Sequence, residues 1–123
     1  MAGTVTITER RVGHLWRVKF TWVTSAGGAA DGATTVPVTG KVAAAVQIPD
    51  AGGTQPDNAY DVTVKDADGV DVLNALGANL SNAAVTQKVK SDELGIVVNS
   101  NLTLGVTGGG AAKGGSTIVY LEV

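Results

Sequence analysis

The chain has 123 residues, a formal net charge of −2, no cysteine, and an apolar fraction of 44%. That is length for one core and not two. It excludes a disulfide framework and any cysteine-ligated metal, and supplies no overall positive charge that would favour nucleic acid. Residues 1–11 lack the apolar stretch of a signal peptide, and no apolar run approaches the roughly 20 residues that span a bilayer. The expectation is a protein made in the cytoplasm that engages no membrane.

Seventeen glycines and only five aromatics, two Trp, two Tyr and one Phe, leave Ala and Val to fill most of the core. Such a core buries less area per residue than one rich in Leu and Phe, at about 25 cal/mol per Å² of apolar surface. Part of the stability is therefore expected from association. Charge is also unevenly placed. Residues 1–48 carry Arg10, Arg11, Arg17, Lys19 and Lys41 against Glu9 and Asp31, whereas residues 50–74 carry six Asp against Lys65. Two readings stand: solvated strand faces with turn-forming Asp, or complementary contacts between subunits or with a larger assembly.

In chain order, residues 4–8 (TVTIT) form a β-branched first strand, followed by a polar connection through Glu9-Arg10-Arg11 and Gly13-His14. Residues 15–24 (LWRVKFTWVT) give the longest strand signal, with Trp16, Val18, Phe20 and Trp22 on one face and Arg17, Lys19 and Thr21 on the other. The aromatic face is assigned to the core. Residues 25–32 (SAGGAADG) read as a loop of small residues. Residues 34–38 and 41–48 read as strands, the first at an edge because Pro37 cannot donate to a ladder, the second with Val42, Ala44, Val46 and Ile48 on one face. A long loop covers residues 49–58.

Residues 60–73 (YDVTVKDADGVDVL) read as a β-hairpin: Tyr60, Val62 and Val64 alternate with polar residues, Asp66 to Gly69 supply the turn, and Val70 and Val72 resume the alternation. Leu73, Leu76 and Leu80 have helical spacing, but Gly77 and the Asn residues limit residues 74–84 to a single turn or an irregular loop. Residues 85–89 and 96–98 are short strands around a turn at residues 91–95. Residues 101–107 and 116–123 form a closing hairpin, with the Gly-rich residues 108–115 as a flexible tip. The sum is an all-β single domain over residues 1–123, a β-sandwich or barrel of about eight short strands, with a jelly roll as one topology.

No motif carries catalysis. Asp66, Asp68 and Asp71 are weak candidates for calcium, but Gly69 is fourth from Asp66 rather than sixth and no Glu closes the loop. Lys113 lies among glycines but is preceded by Ala112 and followed by Gly114, so the phosphate-loop spacing fails. His14 is the one histidine, without a nucleophile elbow or a cysteine to serve. The basic residues of 15–24 lie opposite their aromatic neighbours rather than among them, unlike a single-strand stacking platform. No enzyme, cofactor or nucleic-acid partner is expected.

The layout as a whole resembles small virion structural proteins of tailed bacteriophages. The resemblance rests on GTVTIT at residues 3–8, VKFTWVTSAGGAADG at 18–32, GKVAAAVQIP at 40–49, the YDVTVKDADGVDV segment, and a closing STIVYLEV after a Gly-rich turn. It implies a capsid decoration, or cement, protein on the exterior of the virion. The implied partners are the major capsid protein and copies of itself, a homotrimer being favoured. A tail or fibre component and a carbohydrate-binding β-sandwich, with Tyr60 or Tyr120 as the binding aromatic, are the alternatives. The contact candidates are Thr4, Arg10 and Arg11 in a possible N-terminal assembly arm (residues 1–11), Gly109 and Lys113 in the Gly-rich tip, and the acidic turns.

Overall fold

The computed structural model describes residues 3–89 and 93–123. Among these residues nine strands form two antiparallel sheets that face each other as a sandwich. The strands are β1 (Thr4–Val12), β2 (Leu15–Val23), β3 (Ala30–Ala33), β4 (Val38–Pro49), β5 (Asp61–Lys65), β6 (Thr86–Lys88), β7 (Ile96–Ser100), β8 (Thr103–Thr107) and β9 (Gly114–Glu122). The larger sheet runs β1-β2-β9-β4-β6, with β7 pairing the same edge of β4 further along; the smaller runs β3-β8-β5.

The pairs β2/β9, β3/β8 and β4/β7 are nested in sequence. One antiparallel ribbon thus winds across both sheets, which is the jelly-roll path. In a complete roll a further strand would lie beside β5. Here residues 71–80 take that place with two isolated bridges, Tyr60 to Leu80 and Lys65 to Asp71, and with Val62 N–H donating to the Gly77 carbonyl at 2.7 Å.

The hairpin expected at residues 60–73 is therefore half right. Its turn forms: Asp66 N–H donates to the Val70 carbonyl, and Asp66 Oδ1 accepts from the N–H groups of Asp68 and Val70. The second arm does not continue as a strand. Asp71 Oδ1 accepts from Val64 N–H and Leu73 N–H, and Oδ2 from Ala75 N–H, so the side chain bends the chain away. Left-handed Asn74 (φ 50°) and Ala75 (φ 63°) follow. The regular partner of β5 is instead β8.

The closing hairpin expected of residues 101–107 and 116–123 does not form either, since β8 pairs β3 and β5 in the small sheet while β9 pairs β2 and β4 in the large one. Three other expectations change. Glu9-Arg10-Arg11 is not a connection but the second half of β1, paired with Leu15–Val18 through the two-residue turn Gly13-His14, where Gly13 has φ 59°. The N-terminal segment is accordingly an edge strand from Thr4 on, not an arm; Met1 and Ala2 lie outside the described residues, as do Ser91 and Asp92 of the turn expected at 91–95. Residues 34–37 connect strands, and the strand falls earlier, at Ala30–Ala33, where pairing to β8 overrides weak intrinsic preference. Small residues are needed there: a Cβ on Gly32 would stand 2.6 Å from Val5 Cβ on β1.

The third change is on β4. Register to β9 shifts between Val42 and Ala44, leaving Ala43 as an extra residue. Before the bulge Val38 and Val42 face the core; after it Ala45 and Gln47 do, and Ala44, Val46 and Ile48 turn outward. The single face expected of Val42, Ala44, Val46 and Ile48 is thus split in two.

Trp22, Phe20, Val18, Val119 and Leu121 of the large sheet meet Val62, Val64, Leu104, Val106 and Tyr60 of the other layer in one core. Trp22 and Tyr60 join the layers with ring centroids 5.6 Å apart and planes at 52°. The indole N–H donates to Thr117 Oγ1 at 3.3 Å, and the Thr117 hydroxyl donates to Gln47 Oε1 at 2.6 Å, so these three buried groups are linked in one chain. Gly115 makes room for this arrangement, since a Cβ there would lie 2.6 Å from Trp22 Cζ2 and 2.9 Å from the Ile48 carbonyl oxygen. Gly115→Ala is expected to destabilise the fold by about 1–3 kcal/mol through overpacking; denaturant unfolding measures it, and an unchanged midpoint would mean that Trp22 is not held against β9.

Candidate functional site: the outer face of the large sheet

The inner face of the large sheet is covered by the small sheet and the segments around it. Its outer face has no strand layered on it among the described residues. Register fixes what that face presents. One rung reads Arg10, Arg17, Tyr120, Ala44 across β1, β2, β9 and β4. The next reads Thr8, Lys19, Ile118, Val46, Gln87, reaching β6. A third reads Thr6, Thr21, Ser116, Ile48. At the end of the sheet, Val12, Leu15, Glu122, Lys41 and Ile96 complete a rung in which Val12 is 61% and Ile96 65% exposed.

The face has two halves. On β9 and β4, Ile118, Val46, Ile48, Ala44 and Tyr120 make an apolar strip in which Val46, Ile48 and Tyr120 are part-exposed while Ile118 and Ala44 are buried. On β1 and β2, Arg10, Arg17 and Lys19 form a compact cationic ladder in which Arg10 and Arg17 are direct cross-strand partners. No carboxylate occupies either of the rungs that hold these three cations. Aromatic, aliphatic and Arg side chains together on one uncovered surface are the composition of a protein interface.

The sequence-derived contact candidates are dispersed. Arg10 lies in the cationic ladder and Thr4 at the far end of the same face, opposite Val23. Arg11 points the other way, its guanidinium 5.8 Å from the Trp16 ring centroid. Gly109 and Lys113 are not on a projecting flexible tip. Gly109 is buried, its N–H donating to the Gly28 carbonyl and its carbonyl accepting from Asp57 N–H. Lys113 donates from Nζ to the Gly53 carbonyl at 3.1 Å and from its backbone N–H to Thr24 Oγ1 at 2.8 Å, while the Thr24 hydroxyl donates to the Gly110 carbonyl at 2.6 Å. Arg17, Lys19 and Ile118 are not among those candidates, although strand alternation already opposes Arg17 and Lys19 to the core aromatics, and Tyr120 enters there only as the aromatic of the sugar-binding alternative.

The acidic turns are also largely committed. Asp50 Oδ2 accepts from the Thr54 hydroxyl, Asp61 Oδ1 from Asn79 N–H, and Asp66 and Asp71 from the backbone groups already described. Among the described residues no three His, Cys, Asp or Glu side chains are grouped to hold a metal ion. An open hollow of about 390 Å³ beside Thr4, Val23 and Ser25 has no titratable side chain in its walls. Tyr60 is fully buried, so it cannot serve as a sugar platform; Tyr120, half-buried on the outer face, is the remaining aromatic of that reading. No helix among the described residues is long and apolar enough to cross a membrane. The chain matches no protein-family model and no curated protein.

Two outcomes follow from these placements. Asp71→Ala removes the acceptor of three backbone N–H groups and is expected to cost about 1–3 kcal/mol in denaturant unfolding, whereas a chelator should leave the wild-type transition where it is. A chelator-induced drop would restore the metal reading. Burial pushes the Tyr60 phenol up to about 12 from its ordinary 10.0. The unfolded chain then loses this proton first, so stability present below pH 10 is lost as pH rises towards 12. Tyr60→Phe should lessen the alkaline loss of stability across that interval; an unchanged slope would contradict the assignment.

Proposed function

We propose that this chain is a non-enzymatic capsid decoration protein of a tailed bacteriophage, docking on the shell through the outer face of its large sheet. The observation that carries the reading is the uncovered face itself. It is broad and regular, with part-exposed Val46, Ile48 and Tyr120 at its centre and cations along one side. A surface of this kind suits docking onto another protein surface better than it suits enclosing a small molecule. The resemblance in sequence layout to virion structural proteins points the same way. The jelly-roll path adds only an analogy, since that fold also serves lectins and cupins.

Many copies each making modest contacts could brace a shell collectively, because linked weak contacts sum to a large avidity. Homotrimers around capsid symmetry axes fit this arrangement. An image of the virion whose genome encodes the chain, at chain-tracing resolution, is the test. The expected density is a β-sandwich on the outside of the shell with β9 and β4 towards the major capsid protein; density in the tail alone, or none, would overturn the reading.

A further inference from the structure

A sheet gains nothing from three neighbouring cations. Like charges directly across a strand pair are destabilising, and Arg10 and Arg17 are such a pair, with Lys19 on the next rung. Turn-forming residues elsewhere in the chain are used economically, with Asp66 and Asp71 each satisfying more than one backbone group. The two rungs of the cationic ladder hold no carboxylate, and Glu122 stands one rung away.

We infer that Arg10, Arg17 and Lys19 receive an acidic protein surface, held in register by the apolar strip beside them. The inference rests on the docking reading above and names the chemistry of the partner. Two features favour protein over the other polyanions. The ladder is short: two strands and two rungs span about 5 Å by 7 Å, too small for the track of six to ten phosphate contacts that gives duplex binding its strength. Part-exposed Tyr120 and Val46 lie across the same rungs, so the cations and the apolar surface must meet one partner together. A carboxylate-bearing protein surface with an apolar patch alongside meets both demands, and Arg17 beside Tyr120 is its centre.

The test uses the full chain, isotopically labelled, titrated with a soluble peptide carrying Asp and Glu around a central Leu-Val pair. Short duplex DNA and phosphatidylglycerol vesicles are run alongside. Amide shifts are expected at Arg10, Arg17, Lys19 and Tyr120, weakening as salt rises. Arg17→Thr should reduce peptide affinity at least about fivefold and at the same time raise the melting temperature by about 1–4 °C, because it removes the like-charge pair. That opposition separates a binding role from a structural one. A lower melting temperature in Arg17→Thr, a peptide footprint elsewhere or absent, or tighter binding of DNA or vesicles at the same residues would each overturn the inference. A wild-type chain that shows the peptide footprint but does not bind phage shells would remove the capsid reading and leave the acidic-surface inference standing.

Discussion

The extra residue at Ala43 is the constraint on which the two faces of the molecule depend. A strand of twelve residues with unbroken alternation would send Val42, Ala44, Val46 and Ile48 to one side. With the bulge, β4 presents Val38 and Val42 inward over one half and Ala45 and Gln47 over the other. Gln47 can then accept from Thr117, which in turn accepts from the Trp22 indole. The displaced residues, Ala44, Val46 and Ile48, join Ile118 and Tyr120 outside. One local irregularity therefore builds the core network and the external apolar strip together.

The sheet edges show a similar division of labour. β5 is shielded by residues 71–80, which replace a regular strand with two bridges and the carboxylate of Asp71. β4 is shielded by β6 and β7 in tandem. β1 is an outer strand of the large sheet, and it points Glu9 inward with one buried, unpartnered oxygen. An inward charge on an edge strand discourages sheet-to-sheet growth. That guard favours association through faces over endless edge pairing, as the proposed docking requires.

Much of the fold was legible in the residues because period and turn chemistry agree. The aromatic face of 15–24 lies in the core, and the Asp66–Gly69 turn forms as its residues dictate. What was not legible came from pairing partners. Nothing in ADGA announces a strand; β8 imposes it, and the small residues are there to let β1 come close. Glu9-Arg10-Arg11 is polar enough to look like a connection, yet β2 supplies a partner for each residue. The Gly-rich segment reads as mobile until Thr24, Gly28 and Asp57 are seen to tie it down. The outer apolar strip was hidden for the same reason: a one-residue bulge among three alanines leaves no mark in the alternation. The cations could have been found, since Arg17 and Lys19 already oppose the core aromatics.

The proposed decoration role needs a rigid body, a surface that is stable in water before assembly, and enough contact area after it. The buried Trp22–Tyr60 contact supplies the first, and the mixed apolar and cationic outer face answers the other two. The most direct measurement is hydroxyl-radical footprinting of the protein free and on the particle. The account predicts that oxidation of Tyr120 and its strand neighbours falls sharply on the particle, while exposed Val70, near the opposite layer, is modified as before. Equal modification of Tyr120 in both states, with protection at Val70 instead, would contradict it.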